Sequence, residues 1–400
     1  MSSKVLYITY DGLLEPLGQS QVLRYLEQLS SSYKVYILSF EKSYDWKNDK
    51  ERNYLQEHIN SKQIYWIPLK YHKSPTALAT SFDIFQGFLT AFLLVIFKRI
   101  KIIHARSYVP STIALVLKKI LGIKFIFDMR GFWADERVDG SLWSKDSYLY
   151  LVAKWFEKQF LINADSIISL TKVAIHEIRS YSFADKIKSE FYCIPTCVDL
   201  TTFHVSKNNA PCAEMITLGY IGSVSSWYLF EEVLVFFDAF KKQLSQTNFI
   251  ILTRSDHDLV KNYIKKLDLE YLPIKILEVP HSQVPKIIRQ MNIGIFFRKP
   301  AYSNLACSPT RLGEFLACGI PCIVNDGVGD MTEIIRTEKV GVVLRCFDDL
   351  SILKAIDGIL DLLNDKELSK RCRYTAEKYF SLKEGVEKYK KIYSQLENKA

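Results

Sequence analysis

Several features that mark common classes of protein are missing from this sequence of 400 residues. It has no low-complexity tract and no internal repeat, and its net charge of +9 is not gathered into a polybasic run, so nucleic acid is not an expected partner. No signal peptide opens the chain, and none of the eight cysteines forms a C-x-x-C pair. We therefore expect reduced thiols in a cytoplasmic protein, and no structural zinc site.

What the sequence does contain is a regular alternation of apolar, strand-like runs and segments of helical periodicity. The loop at 10–18, after the first run, holds Gly12 and Gly18 but no G-x-G-x-x-G, so a dinucleotide cofactor is not expected. The length favours two domains, and the alternation predicts an α/β fold with a doubly wound parallel sheet in each. Strands are predicted at 4–10, 35–40, 63–68, 100–104, 124–129, 165–170, 216–221, 249–253 and 293–297. Helices are predicted at 19–32, 77–97, 110–121, 148–163 and 229–244, and from 348 to 396.

The segment 303–330 has the pattern of a helix, a short buried strand and a glycine-rich loop. We expect Ser308 to cap this helix and Pro309 to occupy its first position. Arg311 adds a full charge to the partial positive charge of the helix start, and Glu314 follows one turn later. This arrangement suits a phosphorylated sugar such as a nucleotide. An ordinary amphipathic helix with an Arg–Glu pair is the alternative interpretation.

The same segment resembles the donor-site motif of glycosyltransferase family 4, whose members are retaining enzymes of the GT-B fold. The run Glu314-Phe-Leu-Ala-Cys-Gly-Ile-Pro321 matches the second of two family glutamates and its sequel, while Ala306 stands at the place of the first. The run Cys193-Ile-Pro-Thr-Cys-Val-Asp-Leu-Thr-Thr-Phe203 resembles the family's linker signature. The resemblance implies two Rossmann-like domains that face each other across a cleft. The implied bounds are 1–203 for the acceptor domain, 204–213 for the linker, 214–378 for the nucleotide-sugar donor domain and 379–400 for a terminal helix that crosses back.

The resemblance also assigns roles in the donor domain. In the family the second glutamate holds the nucleotide ribose, so Glu314 inherits that role. The loop at 222–228 lacks the family's arginine and lysine, and Arg254, Arg298 and Arg311 are candidate replacements. The donor-binding candidates are Gly222, Arg254, Ser308, Thr310, Arg311, Glu314 and Gly329. No D-x-D lies at the end of a predicted strand, so we expect no metal and no cofactor, with side chains and helix dipoles stabilising the departing phosphate.

Polar residues at strand ends of the first domain supply the remaining candidates. Asp128 and Arg130 are expected, together with Arg298, to be catalytic, the first two by positioning the sugar or the acceptor. Asp128 stands where many family members have a histidine, and a purely structural Asp–Arg pair is the alternative. The candidates for an acceptor or phosphate loop are Gly18, Gln19, His104, Glu136 and Arg137. For His104, a place in the core or behind the site is the alternative to a role as a base.

The function that this resemblance implies is transfer of a sugar from a nucleotide-activated donor to a glycan or lipid-linked saccharide, with retention, in bacterial surface-polysaccharide biosynthesis. A nucleotide-sugar epimerase of the same fold and a non-catalytic partner subunit are the alternatives. The apolar run 84–97, followed by Lys98, Arg99 and Lys101, suits a helix that dips into an anionic membrane surface. The protein would then be peripheral on the inner face of the plasma membrane. A core helix behind the sheet explains the apolar run equally well.

Overall fold

The computed structural model describes residues 3–205, 215–224, 227–254 and 257–398. The chain divides into two compact units, Met1–Ile194 with Lys383–Ala400, and Pro195–Leu382. The boundaries drawn from the sequence, at 203 and 378, lie inside the second unit. This is because the backbone of Val198 accepts a hydrogen bond from Leu382 at 3.1 Å and donates one to Phe380 at 2.7 Å, which ties the segment after Ile194 to the second unit.

The first unit is built on a seven-stranded parallel sheet in the order β3-β2-β1-β4-β5-β6-β7. Its strands are β1 Lys4–Thr9, β2 Lys34–Glu41, β3 Tyr65–Lys70, β4 Ile102–Arg106, β5 Lys124–Asp128, β6 Ser166–Ser169 and β7 Glu190–Cys193. Its helices are α1 Pro16–Gly18, α2 Arg24–Leu29, α3 Ser43–Trp46, α4 Asp49–Ser61, α5 Thr76–Lys98, α6 Tyr108–Leu121, α7 Trp133–Asp139, α8 Tyr148–Asn163 and α9 Lys172–Arg179. The central strands are buried along almost their whole length, as expected of a parallel sheet covered by helices on both faces.

The second unit contains a six-stranded parallel sheet in the order β10-β9-β8-β11-β12-β13. Its strands are β8 Ile216–Ile221, β9 Thr247–Leu252, β10 Ile274–Leu277, β11 Ile293–Phe296, β12 Cys322–Asn325 and β13 Gly341–Leu344. Its helices are α10 Phe230–Gln243, α11 His257–Lys266, α12 Val284–Ile288, α13 Thr310–Ala317, α14 Met331–Glu338, α15 Asp349–Leu363 and α16 Leu368–Phe380. The last helix, α17 Leu382–Glu397, belongs to the first unit from Lys383 onward. The predicted fold class, α/β with two doubly wound parallel sheets, is confirmed.

The helix of the 303–330 segment starts later than the sequence suggests. Pro309 has extended backbone angles and serves as the N-cap, and α13 begins at Thr310. Ser308 does not cap the helix, because its Oγ accepts a hydrogen bond from the backbone N–H of Thr196 at 3.3 Å. Gly319 follows the end of α13 with a φ of +81°, which allows the sharp turn towards β12.

A second difference lies after β5, where Glu136 and Arg137 were expected in an acceptor or phosphate loop. The chain forms the short helix α7 there, and Asp135 in its first turn is buried and accepts a hydrogen bond from Lys154 at 2.9 Å. At least one charged residue of this segment, Asp135, therefore stabilises local packing instead of facing solvent.

Candidate functional site

Three candidate positions of the second unit lie where its central strands end. Gly222 follows β8, Arg298 follows β11, and Arg311 lies in the first turn of α13. The two strands are hydrogen-bonded neighbours in the parallel sheet, so their carboxyl ends share one edge. In doubly wound sheets this edge is where ligands bind.

Arg311 is a buried cation held by aromatic rings. Its guanidinium carbon lies 4.2 Å from the ring centre of Tyr228, 5.1 Å from that of Tyr220 and 5.5 Å from that of Phe296. The residue is 8% exposed, and its Nη1 has no hydrogen-bond partner among the described residues. A Cβ at position 222 would lie 2.2 Å from Nη2, so the guanidinium occupies space that only a glycine leaves open.

Arg298 lies beside the same tyrosine. Its guanidinium carbon is 5.3 Å from the ring centre of Tyr228, because the backbones of these two residues pair as an antiparallel bridge. Its Nε donates to Oδ1 of Asn304 at 3.0 Å. Neither Arg298 nor Arg311 forms an ion pair within the described part of the chain. Two arginines at one ring without a bonded carboxylate make this edge of the sheet strongly cationic.

Glu314 lies one helical turn after Arg311 and is not bonded to it. The side chain is partly buried, and its carboxylate makes no hydrogen bond or ion pair with any described residue. Burial raises its pKa to about 7, against the opposing effect of the nearby Arg311 guanidinium. An acidic group with free acceptor atoms near the Arg311 cation is thus available to a ligand that brings hydroxyl groups.

The other donor-site candidates are less available. The N–H of Gly329 donates to the carbonyl of Asn304 at 2.9 Å, and that of Gly327 donates to Oδ1 of Asp326 at 2.8 Å, so this loop does not offer free N–H groups at those two positions. Ser308 is engaged with Thr196, as described above. Thr310 is the first residue of α13, whose N-terminus carries the helix's partial positive charge. Arg254 is exposed and forms no hydrogen bond or ion pair with a described residue.

In the first unit, Asp128 and His104 lie in a fully buried cluster. Oδ2 of Asp128 is 3.3 Å from Nε2 of His104 and accepts a hydrogen bond from the Tyr389 hydroxyl at 3.2 Å. Nδ1 of His104 is 2.8 Å from the Tyr393 hydroxyl, so helix α17 closes this cluster. Burial lowers the pKa of His104, although Asp128 opposes this effect. His104 is therefore a neutral, buried histidine, in keeping with the core alternative.

Two arginines border this cluster. Arg130 has a left-handed φ of +57°, and its Nη1 lies 4.0 Å from Oδ1 of Asp128. Although burial opposes ionisation, Arg130 and then His104 hold the pKa of Asp128 below its ordinary value. Arg106 donates from Nε to Oδ2 of Asp11 at 3.1 Å. Within the described residues, Nε and Nη1 of Arg130, Nη1 of Arg106 and Oδ1 of Asp128 lack a hydrogen-bond partner.

The loop after β1 is fixed by a buried glutamate that the sequence did not single out. Glu41 accepts hydrogen bonds from the N–H groups of Leu13 at 2.8 Å and Leu14 at 3.2 Å. Gly18 is needed for packing, since a Cβ there would lie 1.9 Å from the carbonyl oxygen of Gly12. Gln19 begins a π-helical turn that continues α1 into α2. This part of the predicted phosphate loop is therefore rigid.

The remaining candidates, Glu136 and Arg137, lie on α7. The guanidinium carbon of Arg137 is 5.1 Å from the ring centre of Trp133, and Glu136 is partly buried. These two residues therefore lie on a helix and not in a loop. Among the described residues, no group of three or more His, Cys, Asp or Glu side chains could hold a metal ion.

Three residues of these clusters were not selected from the sequence as site residues, namely Tyr228, Asn304 and Arg106. The loop at 222–228 was inspected for cations, whereas its contribution is an aromatic ring that contacts cations from elsewhere in the unit. Asn304 orients Arg298 and also accepts from Gly329. Arg106 was visible as the last residue of β4, in the predicted pattern of polar strand ends.

Part of the chain is similar in sequence to a known family. Residues 206–379, a little under half of the chain, match the model of the family Glycosyl transferases group 1. No curated protein is recognisably similar to the chain in sequence. Among solved structures, a sucrose-phosphate synthase from Thermosynechococcus elongatus is similar over 100% of both chains, with a TM-score of 0.76 and 15% identity.

Two further structures are similar over nearly the whole chain. A glycosyltransferase from Rickettsia africae covers 100% of both chains with a TM-score of 0.72 and 14% identity. HepE from Anabaena, solved in complex with UDP and glucose, covers 98% of this chain and 99% of its own, with a TM-score of 0.67 and 12% identity. The fold is thus that of the GT-B glycosyltransferases. With the family match in its second unit, the protein is a glycosyltransferase.

Proposed function

We propose that this enzyme transfers a sugar from a nucleotide-activated donor to a saccharide acceptor, and that the donor binds at the carboxyl edge of the second sheet. The observation that carries the proposal is the pair Arg298 and Arg311 at the ring of Tyr228, with no carboxylate bonded to either guanidinium. A buried charge without a partner is costly, and a bound diphosphate would compensate both at once. Arginine is well suited to this role because its planar group matches phosphate oxygens.

Glu314 provides the second half of the donor site. Its carboxylate has free acceptor positions and lies one turn from Arg311, so it can accept hydrogen bonds from two adjacent ribose hydroxyls while the arginines hold the phosphates. The N-terminus of α13 adds partial positive charge for the same anion. A UDP-sugar is the donor that we favour, since the similar HepE was solved with UDP, with UDP-glucose, and with UDP and glucose.

Transfer would proceed with retention and without a metal ion, as in family 4. The arginine pair would stabilise charge that develops on the departing phosphate. That phosphate oxygen would take the proton of the attacking hydroxyl, so the chain need not supply a base. Arg298 and Arg311 then contact the reacting group. Asp128 is fully buried and acts through Arg130, which makes Asp128 a positioning residue.

The acceptor that we propose is a glycan or lipid-linked saccharide of a bacterial surface polysaccharide, used on the cytoplasmic side of the membrane. The first unit would bind it near Arg106 and Arg130. Arg130 is partly exposed, so its guanidinium can donate hydrogen bonds to sugar hydroxyls, while the fully buried Asp128 holds that side chain in place.

Thermal-shift measurements with UDP, GDP, ADP, TDP and CMP test the donor site first. A ligand at a hundred times its dissociation constant should raise the free energy of unfolding by about 2.7 kcal/mol. Transfer from the preferred nucleotide sugar should then survive EDTA. Conversion of the nucleotide sugar without an acceptor would instead indicate an epimerase. Binding without any turnover, across a panel of acceptors, would indicate a non-catalytic subunit.

A further inference from the structure

Helix α5 turns its large apolar side chains to solvent and its small ones to the protein. The residues between 45% and 76% exposed recur at helical spacing on one side and are Leu78, Phe82, Phe85, Leu89, Leu93, Ile96 and Phe97. The buried side consists of Ala79, Asp83, Gly87, Ala91 and Val95. Helices on the surface of soluble proteins normally show the reverse arrangement. The outer side of α5 is therefore a contiguous apolar stripe that the described part of the chain leaves largely exposed to solvent.

The helix is nevertheless an integral part of the first unit. A Cβ on Gly87 would lie 2.7 Å from Ile113 and 2.9 Å from Phe40, so α5 is closely packed against α6 and β2. Asp83 accepts a hydrogen bond from the Tyr10 hydroxyl at 2.8 Å. Among the described helices, α5 is the one long and apolar enough to cross a membrane, and 22% of its most apolar window is buried. Because it is packed in this way, a position on the membrane surface fits better than a position across it.

The apolar surface continues beyond α5 onto two neighbouring helices. Helix α5 packs against α6, and α6 packs against α8. Large apolar side chains exposed on α6 and α8 are Val116, Ile120, Tyr148, Leu149, Leu151 and Trp155. Tyrosine and tryptophan are the residues that favour the boundary between lipid and water.

Charge on this surface has one sign. The helices α5, α6 and α8 contain only two acidic residues, Asp83 and Glu157, and both are buried. Lys98, Arg99 and Lys119 are exposed at the ends of α5 and α6 and have no ion pair with a described residue. These ends meet because α5 and α6 lead into β4 and β5, which are parallel neighbours. Exposed Lys101, at the start of β4, adds a fourth cation there.

We propose that the apolar stripe of α5, with the exposed residues of α6 and α8 and the basic group at 98, 99, 101 and 119, docks on an anionic lipid surface. The stripe enters the boundary between headgroups and acyl chains, while the cations bind lipid phosphates. This inference specifies which surface of the protein would contact the membrane. It rests on the proposed function in one respect: a lipid-linked acceptor would lie at the same membrane. The docking itself does not involve the donor site.

A second copy of the chain is a poorer occupant. A twofold interface places the same surface opposite itself, so the basic groups of the two copies would share an interface that contains no exposed carboxylate on these helices. Like charges in such an interface oppose association. Anionic lipid supplies the charge that the surface lacks.

Vesicle co-sedimentation of the full chain tests the proposal. We expect binding to vesicles that contain phosphatidylglycerol, little binding to phosphatidylcholine alone, and release at high salt. Replacing Lys98, Lys101 and Lys119 with glutamine should weaken binding about fivefold per charge, on the order of 100-fold together. The variant Phe85→Gln, Leu89→Gln, Leu93→Gln should lose binding. These side chains are about half exposed, so the fold should tolerate the changes.

Matched variants in the second unit serve as controls. Leu350, Leu353 and Tyr374 are 60%, 46% and 59% exposed, and their replacement by glutamine should leave vesicle binding unchanged. Nucleotide binding, measured with UDP on every variant, reports separately on folding and on the donor site. If the wild type binds vesicles but not UDP, the surface stands and the proposed donor site fails.

Three results would overturn the lipid proposal. The wild type could stay in the supernatant with anionic vesicles at low salt. The α5 triple variant could bind as well as the wild type. Sedimentation velocity could instead show a dimer that the α5 variant converts to a monomer without any vesicle binding, which would assign the surface to self-association.

Discussion

Replacing Glu314 with glutamine should stabilise the free protein while weakening its affinity for a nucleotide sugar. Burial raises the pKa of Glu314 to about 7 from an ordinary value of 4.5, even though Arg311 opposes the shift. Between these two values the folded protein holds a proton that the unfolded chain has released. The free energy of unfolding therefore falls as pH rises through this window, and the full cost is present above about pH 7.

The size of this cost follows from the shift. One pKa unit corresponds to about 1.4 kcal/mol, so the shift amounts to about 3 kcal/mol. The side chain is only partly buried, and screening by solvent reduces the expected gain for glutamine to about 1–3 kcal/mol near pH 8. Near pH 4.5 the gain should vanish, because the wild-type carboxyl group is then protonated in the folded protein and increasingly so in the unfolded chain.

Urea unfolding of both proteins across this pH range measures the effect. The exposed Glu333, in the first turn of α14, provides the control, since Glu333→Gln should change stability little at either pH. If Glu314→Gln is no more stable than the wild type near pH 8, the carboxylate is well solvated and the physical basis of the predicted shift is wrong.

Calorimetry with UDP-glucose measures the other half of the prediction. This ligand has no group of its own that titrates near pH 7, so the wild-type affinity should fall about tenfold per pH unit below about 7 as Glu314 becomes protonated. The glutamine variant should bind more weakly by about 1.5–3 kcal/mol near pH 8 and should lose the pH dependence. Affinity that is unchanged by the substitution would remove Glu314 from the donor site.

Three further substitutions test the rest of the two clusters. Gly222→Ala should displace the Arg311 guanidinium and weaken UDP-glucose binding. Because the φ of Gly222 is +108°, the substitution should also lower the free energy of unfolding, measured in urea, by about 1–3 kcal/mol. Unchanged binding would mean that Arg311 does not contact the ligand. Arg298→Gln should weaken UDP-glucose binding by about 1.5–3 kcal/mol in calorimetry and leave the weak binding of uridine unaffected. An equal loss of affinity for uridine would contradict a contact between Arg298 and phosphate. Asp128→Asn should lower the free energy of unfolding by about 3–5 kcal/mol near pH 7, because it leaves Arg130 buried without its counter-charge. Since the pKa of Asp128 is lowered, the wild type should also lose stability as pH falls through that lowered pKa. An acid limb unchanged in the asparagine variant would refute this.

The parts of the fold that could be predicted from the sequence are those that are buried on both faces. Central strands such as β1 and β5 appear as continuous apolar runs, and their bounds were predicted to within a few residues. The strands that were not predicted, β7, β10 and β13, are four-residue strands at sheet edges, and each is partly exposed. An edge strand lacks the apolar run that identifies a buried one, so its pattern resembles a loop.

The candidate site shows the same division between local and tertiary information. Arg311 and Glu314 were found because their roles follow from positions in one helix. Tyr228 could not be assigned from its own loop, since it lies beside Arg298 only through a backbone bridge between distant segments. The prediction that Ser308 caps α13 was wrong for a similar reason. Ser308 is an ordinary capping residue in sequence terms, but Thr196, more than a hundred positions away, uses its hydroxyl.

The two polar clusters differ in what they lack, and this difference indicates what each would bind. In the second unit the deficit is one of charge, since Arg298 and Arg311 have no bonded carboxylate and Glu314 is driven towards its neutral form. In the first unit Arg130 is balanced by Asp128 and Arg106 by Asp11, so the deficit is one of hydrogen bonds at Arg106, Arg130 and Asp128. A site short of negative charge favours a diphosphate, whereas a charge-balanced site that can donate hydrogen bonds favours a neutral polyol. We therefore expect a phosphate ligand to protect amides of the second unit from hydrogen exchange, and a neutral acceptor sugar to protect amides of the first. Hydrogen exchange measured with each ligand alone would distinguish the two binding sites. Protection of the Asp128 cluster by UDP but not by any sugar would reverse this assignment.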